Sequence, residues 1–227
     1  KPSFSRTRKV SSFAEKFPKS PQRPDALYRA GDLFSKLLDY ASSIRSFKQF
    51  LDAYPVHEKA PDVLWKAIEV YEKMQDWSAV IKAGNLFRRK FGGEAKYDER
   101  AVEALFKIAE AHAESKNQKA AEKAYEKALK EFHKRNLGVT TRAAYFAAKA
   151  RFLQAGQVFA KFDAMKFWKN PKNWKQEIDA KTKMEATVAK AYKTVLEYKQ
   201  AEWTLAALYH IACTKERLAR SLFDAPI

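Results

Sequence analysis

The order of large and small residues from Leu27 to Pro55 constrains this chain more than any other feature. Leu27, Ala30, Gly31, Phe34 and Tyr40 are followed by Phe47, Phe50 and Pro55. The first four fall at helical spacing. The small pair Ala30-Gly31 lets a second helix approach closely, while the rings of Phe34, Tyr40 and Phe47 fill the space around it. The stretch therefore predicts two antiparallel helices, near Asp25–Leu38 and Ser42–Tyr54, with Pro55 as the stop. A lone helix pair cannot bury both of its apolar sides, so a chain built this way must stack further pairs.

The pattern recurs. Leu64, Ala67, Ile68, Tyr71, Trp77, Val80 and Phe87 repeat Leu27, Ala30, Gly31, Phe34, Tyr40, Ser43 and Phe50 at an offset of 37 residues (Leu27 to Leu64). Gly92-Gly93 closes this second pair. A third match, Leu105, Ile108, Ala109, His112, Ala121, Tyr125 and Ala128, follows a longer connection and ends at Asn136-Leu137-Gly138, a helix C-cap signal. This succession resembles the tetratricopeptide repeat (TPR), a helix pair about 34 residues long. The resemblance implies an all-α, right-handed superhelical array of TPR-like pairs.

Beyond Thr140 the spacing changes. Phe146, Ala150, Leu153, Phe159, Phe162 and Met165 predict a longer helix. Pro171 breaks the chain, helix resumes near Glu177 with Met184, Val188, Ala191, Val195 and Tyr198, and a last helix carries Trp203, Ala206, Ala207, Ile211, Leu218 and Leu222. About nine helices and no strand are expected. Three segments follow: a basic, Pro-containing lead-in over 1–24, three helix pairs over 25–138, and longer C-terminal helices over 139–227. The lead-in is expected to be extended, because Pro18, Pro21 and Pro24 forbid a continuous helix through its second half, although Val10, Phe13 and Phe17 can dock on a neighbouring surface.

Composition narrows the class. At 46% hydrophobic and 14% aromatic residues the chain is too rich in core formers to be disordered. No apolar run approaches the length of a bilayer span. The net charge of +17 permits nucleic acid, anionic lipid or acidic protein as partner and does not choose among them. Cys213 is the only cysteine, which excludes an intrachain disulfide and is compatible with cytoplasm or periplasm. Lys1 at the start and the abrupt Asp224-Ala225-Pro226-Ile227 end are expected of a processed or trimmed chain.

The run Ala201-Glu202-Trp203-Thr204-Leu205-Ala206-Ala207-Leu208-Tyr209, with Ser221-Leu222-Phe223-Asp224-Ala225-Pro226, is similar to the end of one group. These are the adventurous gliding-motility TPR lipoproteins (GltE/AglT-like) of myxobacteria and related predatory bacteria. The long helix Ala143–Met165 and the lysine-rich break after it match the same layout. That resemblance implies a non-enzymatic protein-interaction scaffold at the periplasm or the periplasmic face of the outer membrane. It would belong to a trans-envelope motility machine, with envelope or motility proteins as partners. The chain departs from the group at His210-Ile211-Ala212, where Arg and Gly are expected after the tyrosine.

No catalytic pattern is present: the histidines His57, His112, His133 and His210 form no zinc-protease spacing, and there is no phosphate loop or nucleophile elbow. His210 and Cys213 lie three apart on one helix but lack a third ligand, and His210 and His112 fill the packing slot of Phe34 and Tyr71. No metal and no cofactor is implied.

Two binding surfaces remain. In a TPR array the first helices line an inner groove, and the register places Tyr28, Asp32, Ser35 and Lys36, then Trp65, Glu69 and Glu72, then Phe106, Glu110 and Glu114 on it. Tyr28, Trp65 and Phe106 either form an aromatic row for a partner peptide with basic residues, or lie inside the stack or beneath the N-terminal lead-in. The second surface is the break, where Lys166, Trp168, Lys169, Lys172, Trp174 and Lys175 fit an anionic membrane surface, a platform for single-stranded nucleic acid, or a solvated loop. The alternative function is accordingly a basic helical-repeat protein that binds RNA or single-stranded DNA electrostatically.

Overall fold

The computed structural model describes residues 4–165 and 173–223. These form ten α-helices and one 3-10 turn: α1 (Phe4–Lys16), α2 (Arg23–Lys36), α3 (Tyr40–Ala53), α4 (Ala60–Lys73), α5 (Trp77–Lys90), the turn Ala95–Tyr97, α6 (Asp98–Glu114), α7 (Gln118–Lys134), α8 (Arg142–Asp163), α9 (Trp174–Leu196) and α10 (Ala201–Phe223). The described residues are all helix and connection, with no strand. The chain divides into two compact units, Lys1–Ala124 and Tyr125–Ile227.

The helix boundaries in the first unit follow from a repeated turn device. After α2, α4 and α6 the chain passes through a left-handed residue, Leu38 (φ 63°), Gln75 (φ 56°) and Lys116 (φ 60°). The next backbone N–H then reaches back to a carbonyl in the last turn: Asp39 to Phe34 at 2.9 Å, Asp76 to Tyr71 at 3.0 Å, Asn117 to His112 at 2.9 Å. The same three side chains cap the following helices, their Oδ1 atoms accepting from the N–H of Ser42, Ala79 and Ala120 at 3.1, 3.0 and 3.2 Å. Leu38 to Gln75 is 37 residues and Gln75 to Lys116 is 41; the connection before α6, which holds the 3-10 turn, is one residue longer than that before α4, and α6 runs 17 residues against 14 for α4. Pro24 and Pro61 sit in the first turns of α2 and α4, where a missing N–H costs nothing.

Within the first unit α3 packs on α2 and α4, α5 packs on α4 and α6, and α2 touches α4 directly. Gly31 allows the closest approach: a Cβ there would enter the Phe47 ring. Beside it the Ser43 hydroxyl donates to the Gly31 carbonyl at 2.8 Å. Leu27, Phe47, Phe50 and Val63 form one buried cluster, and Leu64, Ile68, Val80 and Phe87 the next.

The lead-in departs from its expected extended form. Residues 4–16 are helical, which is why ten helices appear where about nine were expected. Charge obscured the pattern: Thr7 and Ala14 are buried, Val10 and Phe13 pack on the α2–α3 cluster, and the basic residues Arg8, Lys9 and Lys16 face outward. The prolines act only after α1 ends, and Arg23 Nε ties the junction by donating to the Ala14 carbonyl at 3.0 Å.

In the second unit α8, α9 and α10 pack pairwise on one another. Buried Ala143, Ala144, Ala147, Ala148, Ala150 and Ala155 give α8 a small-residue side against which neighbours close in. Around its middle, Phe152 meets Tyr192, Trp203 and His210, and His210 stacks on Tyr192 at 5.1 Å with the rings 23° apart. The C-terminal part of α7 joins this unit through Phe132, 5.6 Å from Tyr198, and through His133 Nε2, 3.2 Å from the Tyr198 hydroxyl.

Candidate functional site

The first helices of the first unit, α2, α4 and α6, carry the groove positions, and ion pairs stitch each helix to the next. Lys59 Nζ meets Asp25 at 2.5 Å and Lys66 Nζ meets Asp32 at 2.6 Å, joining α4 to α2. Arg100 meets Asp62 at 2.5 Å and Lys107 meets Glu72 at 2.6 Å, joining α6 to α4. Lys59 and Arg100 occupy one repeat position and Lys66 and Lys107 another, each 41 residues apart. These cations lie outside the groove positions expected from the sequence, although their recurrence at matching positions is a signal the sequence carries.

Burial decides between the two readings of the aromatic row. Tyr28 is half-buried under Lys66, whose Nζ lies 5.7 Å from the ring centre. Trp65 is 5% exposed and meets Phe87 edge to face at 5.1 Å, and Phe106 is 1% exposed. Arg100 and Lys107 of α6 lie over the Trp65 ring at 5.6 and 5.8 Å. An exposed row of three aromatics is thus not formed, because α6 brings its own cations onto the ring that a partner would need.

The polar positions divide by how far they are already engaged. Asp32 receives Lys36 at 2.7 Å as well as Lys66. Burial works against its charge, yet the two ammonium groups outweigh it and hold its pKa below the usual carboxylate range. Ser35 is half-buried, and Lys36 and Glu114 are exposed. Glu69, Glu72 and Glu110 form a different environment. Burial pushes the Glu72 carboxyl up, the Lys107 ammonium pulls it down, and the carboxylates of Glu110 and Glu69 push it up again, with a net rise. Lys107 also lies 3.8 Å from Glu103, and Lys66 acts on Glu69 as well as Asp32, so two ammonium groups are shared among several carboxylates of α2, α4 and α6.

Of the Lys/Trp break, Lys166, Trp168, Lys169 and Lys172 lie outside the described residues. Trp174 and Lys175 open α9, the first half-buried and the second exposed. His210 sits in the aromatic cluster, where burial and the positive charge of Arg217 lower its pKa. Among the described residues no three His, Cys, Asp or Glu side chains come together as a metal site, and no helix is long and apolar enough to cross a membrane.

The model of a family described as tetratricopeptide repeat matches residues 25–55 and 103–132. The two matches begin 78 residues apart, the sum of the 37- and 41-residue offsets seen in the turns. Among solved structures the chain is similar to MamA, at 14% identity over 84% of this chain and 86% of that one, with a TM-score of 0.47. It is also similar to a Bacteroides ovatus ATCC 8483 protein described as protein binding, at 15% identity over 86% and 98%, with a TM-score of 0.50. A third is BtubC (BKLC) from P. vanneervenii, at 11% identity over 98% and 91%, with a TM-score of 0.47. At 15% identity the likeness to the Bacteroides ovatus protein is one of fold. No curated protein matches the chain. The chain carries tetratricopeptide repeats, which mark a protein-interaction scaffold.

Proposed function

We propose that the chain is a non-enzymatic scaffold that holds a basic segment of a partner protein against the first-helix face of α4 and α6. The observation that carries this reading is the gathering of Glu69, Glu72 and Glu110 on one face: burial raises the Glu72 pKa, repulsion from Glu110 and Glu69 adds to it, and Lys107 at 2.6 Å pulls the other way. A Lys or Arg side chain placed there relieves that repulsion, and a chain whose surface is otherwise basic repels the same segment elsewhere. The buried Trp65 and Phe106 give the face rigidity without offering their rings. By the resemblance of its C-terminal block, the scaffold works in the bacterial cell envelope as part of a gliding-motility complex.

The groove is tested by titrating a lysine-rich peptide against the protein and its Glu69→Lys/Glu110→Lys variant. Loss of about tenfold in affinity with unchanged helicity is expected, and equal binding by the two proteins removes the groove from the function. The compartment is tested separately by fractionating cells that make the full-length protein. Recovery in the cytoplasm overturns the envelope assignment and leaves the groove untouched.

A further inference from the structure

The cations of the first unit divide by helix. On and before the first helices they are engaged: Lys36 and Lys66 with Asp32, Lys59 with Asp25, Arg100 with Asp62 and Lys107 with Glu72. On the second helices the acids are scarce. Helix α5 carries Lys82, Arg88, Arg89 and Lys90 and no carboxylate, and α3 carries Arg45 and Lys48 against Asp52 alone. Together α3 and α5 hold six cations and one acid, whereas α4 and α6 hold four cations and eight acids. Arg45, Lys48, Lys82 and Arg89 are exposed and form no ion pair among the described residues.

Between α3 and α5, over α4, runs a groove of about 610 Å³. It lies inside the repeat array, with α2 before it and α6 after it. Its floor is aliphatic: Leu51 of α3, Leu64 and Ala67 of α4 and Leu86 of α5. Lys48 of α3 and Lys82 of α5 line its two walls. Arg89 comes seven residues after Lys82 and continues its row, and Arg45 comes one turn before Lys48. The two acids of the groove are Asp52 and Asp76, and Asp76 is engaged in capping α5 through the Ala79 N–H at 3.0 Å. On α4 the helical spacing sets Leu64 and Ala67 on one side and Glu69 on the other, so this groove is apart from the Glu69–Glu110 face.

An occupant has to bring apolar groups to the floor and negative charge to both walls. A bilayer surface is too flat to enter a groove between helices. Single-stranded nucleic acid binds by stacking bases on exposed rings, yet the exposed residues of α3 and α5 include no aromatic, and the one ring in the groove, Tyr71, is half-buried. A second copy of the chain is repelled by its net charge of +17. We propose that the α3–α5 groove docks an acidic amphipathic segment of a partner protein. Its apolar side chains lie on Leu51, Ala67 and Leu86, and its carboxylates pair with Lys48 and Lys82.

The probe is a labelled peptide of Leu-Glu-Glu-Leu repeats, which sets an apolar stripe and carboxylates at helical spacing. It is titrated against the 227-residue protein at near-physiological salt. Saturable binding is expected, weakened about tenfold or more by Lys48→Glu/Lys82→Glu with helicity unchanged. Lys119→Glu/Lys123→Glu, an equal change of net charge at exposed positions of α7, is expected to leave the binding intact. No binding, no loss in the first variant, or equal loss in both overturns the groove. A peptide of Gln-Glu-Glu-Gln repeats is expected to bind about tenfold more weakly, and equal binding would show attraction by charge alone and overturn docking on the floor. Oligo-dT that binds through Lys48 and Lys82 where the leucine peptide does not overturns a protein as the occupant. Glu69→Lys/Glu110→Lys is expected to leave the peptide bound, so this groove and the Glu69–Glu110 face stand or fall separately.

Discussion

The two units solve the same packing problem with helices of different length. In the first, α2, α3, α4 and α5 each run 14 residues, and every first helix turns into its partner through a left-handed residue and an Asp or Asn cap. In the second, α8, α9 and α10 run 22, 23 and 23 residues. A short helix buries a narrow stripe, so much of its stability rests on its ends and on the ion pairs to the next repeat. A long helix offers more side chain per turn device, and there the centre of the stack is a cluster of Phe152, Tyr192, Trp203 and His210. The comparison teaches that regular period belongs to the half built of short pairs, whereas ion pairs join helices in both halves, Lys215 to Glu185 and Arg217 to Asp163 in the second. The half built of long helices is held by ring packing and small alanine contacts.

The largest expected effect breaks the comparison at its core. Phe87 is fully buried among Trp65, Phe91 and Tyr97, so Phe87→Ala should cost about 3–5 kcal/mol in urea unfolding. If the halves are energetically distinct, probes in α2–α5 lose structure at lower urea than probes in α8–α10. A single shared transition would show that they unfold as one block. Gly31→Ala comes next, at about 1–3 kcal/mol, because the new methyl meets the Phe47 ring with no room to yield. An unchanged urea midpoint there would mean that α2 and α3 can separate without loss.

A pH series addresses the other half. The His210 pKa is lowered by its burial among rings, so the unfolded chain binds the proton more readily than the folded one. The contribution is fully present above the ordinary value of 6.5 and is lost as pH falls through the lowered folded value. The second unit should therefore melt earlier in mild acid, and His210→Phe should flatten that dependence. A melting profile that stays pH-dependent in His210→Phe would place the titrating group elsewhere. Lys66→Met should cost only about 0–1 kcal/mol and less in high salt, since the Lys66–Asp32 pair is partly exposed. Tyr192→Phe is expected to have the smallest effect and to be neutral or slightly stabilising. Its hydroxyl is buried without a hydrogen-bond partner among the described residues, and burial pushes its pKa up to about 12. A clear loss of stability in Tyr192→Phe would reveal a partner for that hydroxyl.

Helix pairing was legible because it is written in local terms. Small residues at Ala30-Gly31, aromatics at Phe34, Phe47 and Phe50, and prolines at the ends recur with a period that a linear chain displays. The stacking itself followed from the bare side that each pair leaves. Three things were not legible. The helix over residues 4–16 was hidden by its basic residues, because burial of Thr7 and Ala14 depends on where α2 lies. The fate of Trp65 and Phe106 depended on which face α6 turns toward α4, which no local spacing fixes. The rise in the Glu72 pKa depended on burial, which no spacing rule reports, and then on the nearness of Glu110 and Glu69.

What the sequence alone determined is thus an all-helical repeat with its turns, caps and period, since these arise from contacts within one or two turns of the chain. What only the tertiary structure decided is which side chains remain for a partner. Exposure and net local charge are sums over neighbours brought from distant positions. Trp65 is lost to solvent through α6, Asp32 is neutralised by Lys66, and the α3–α5 groove exists only because both helices fold onto α4.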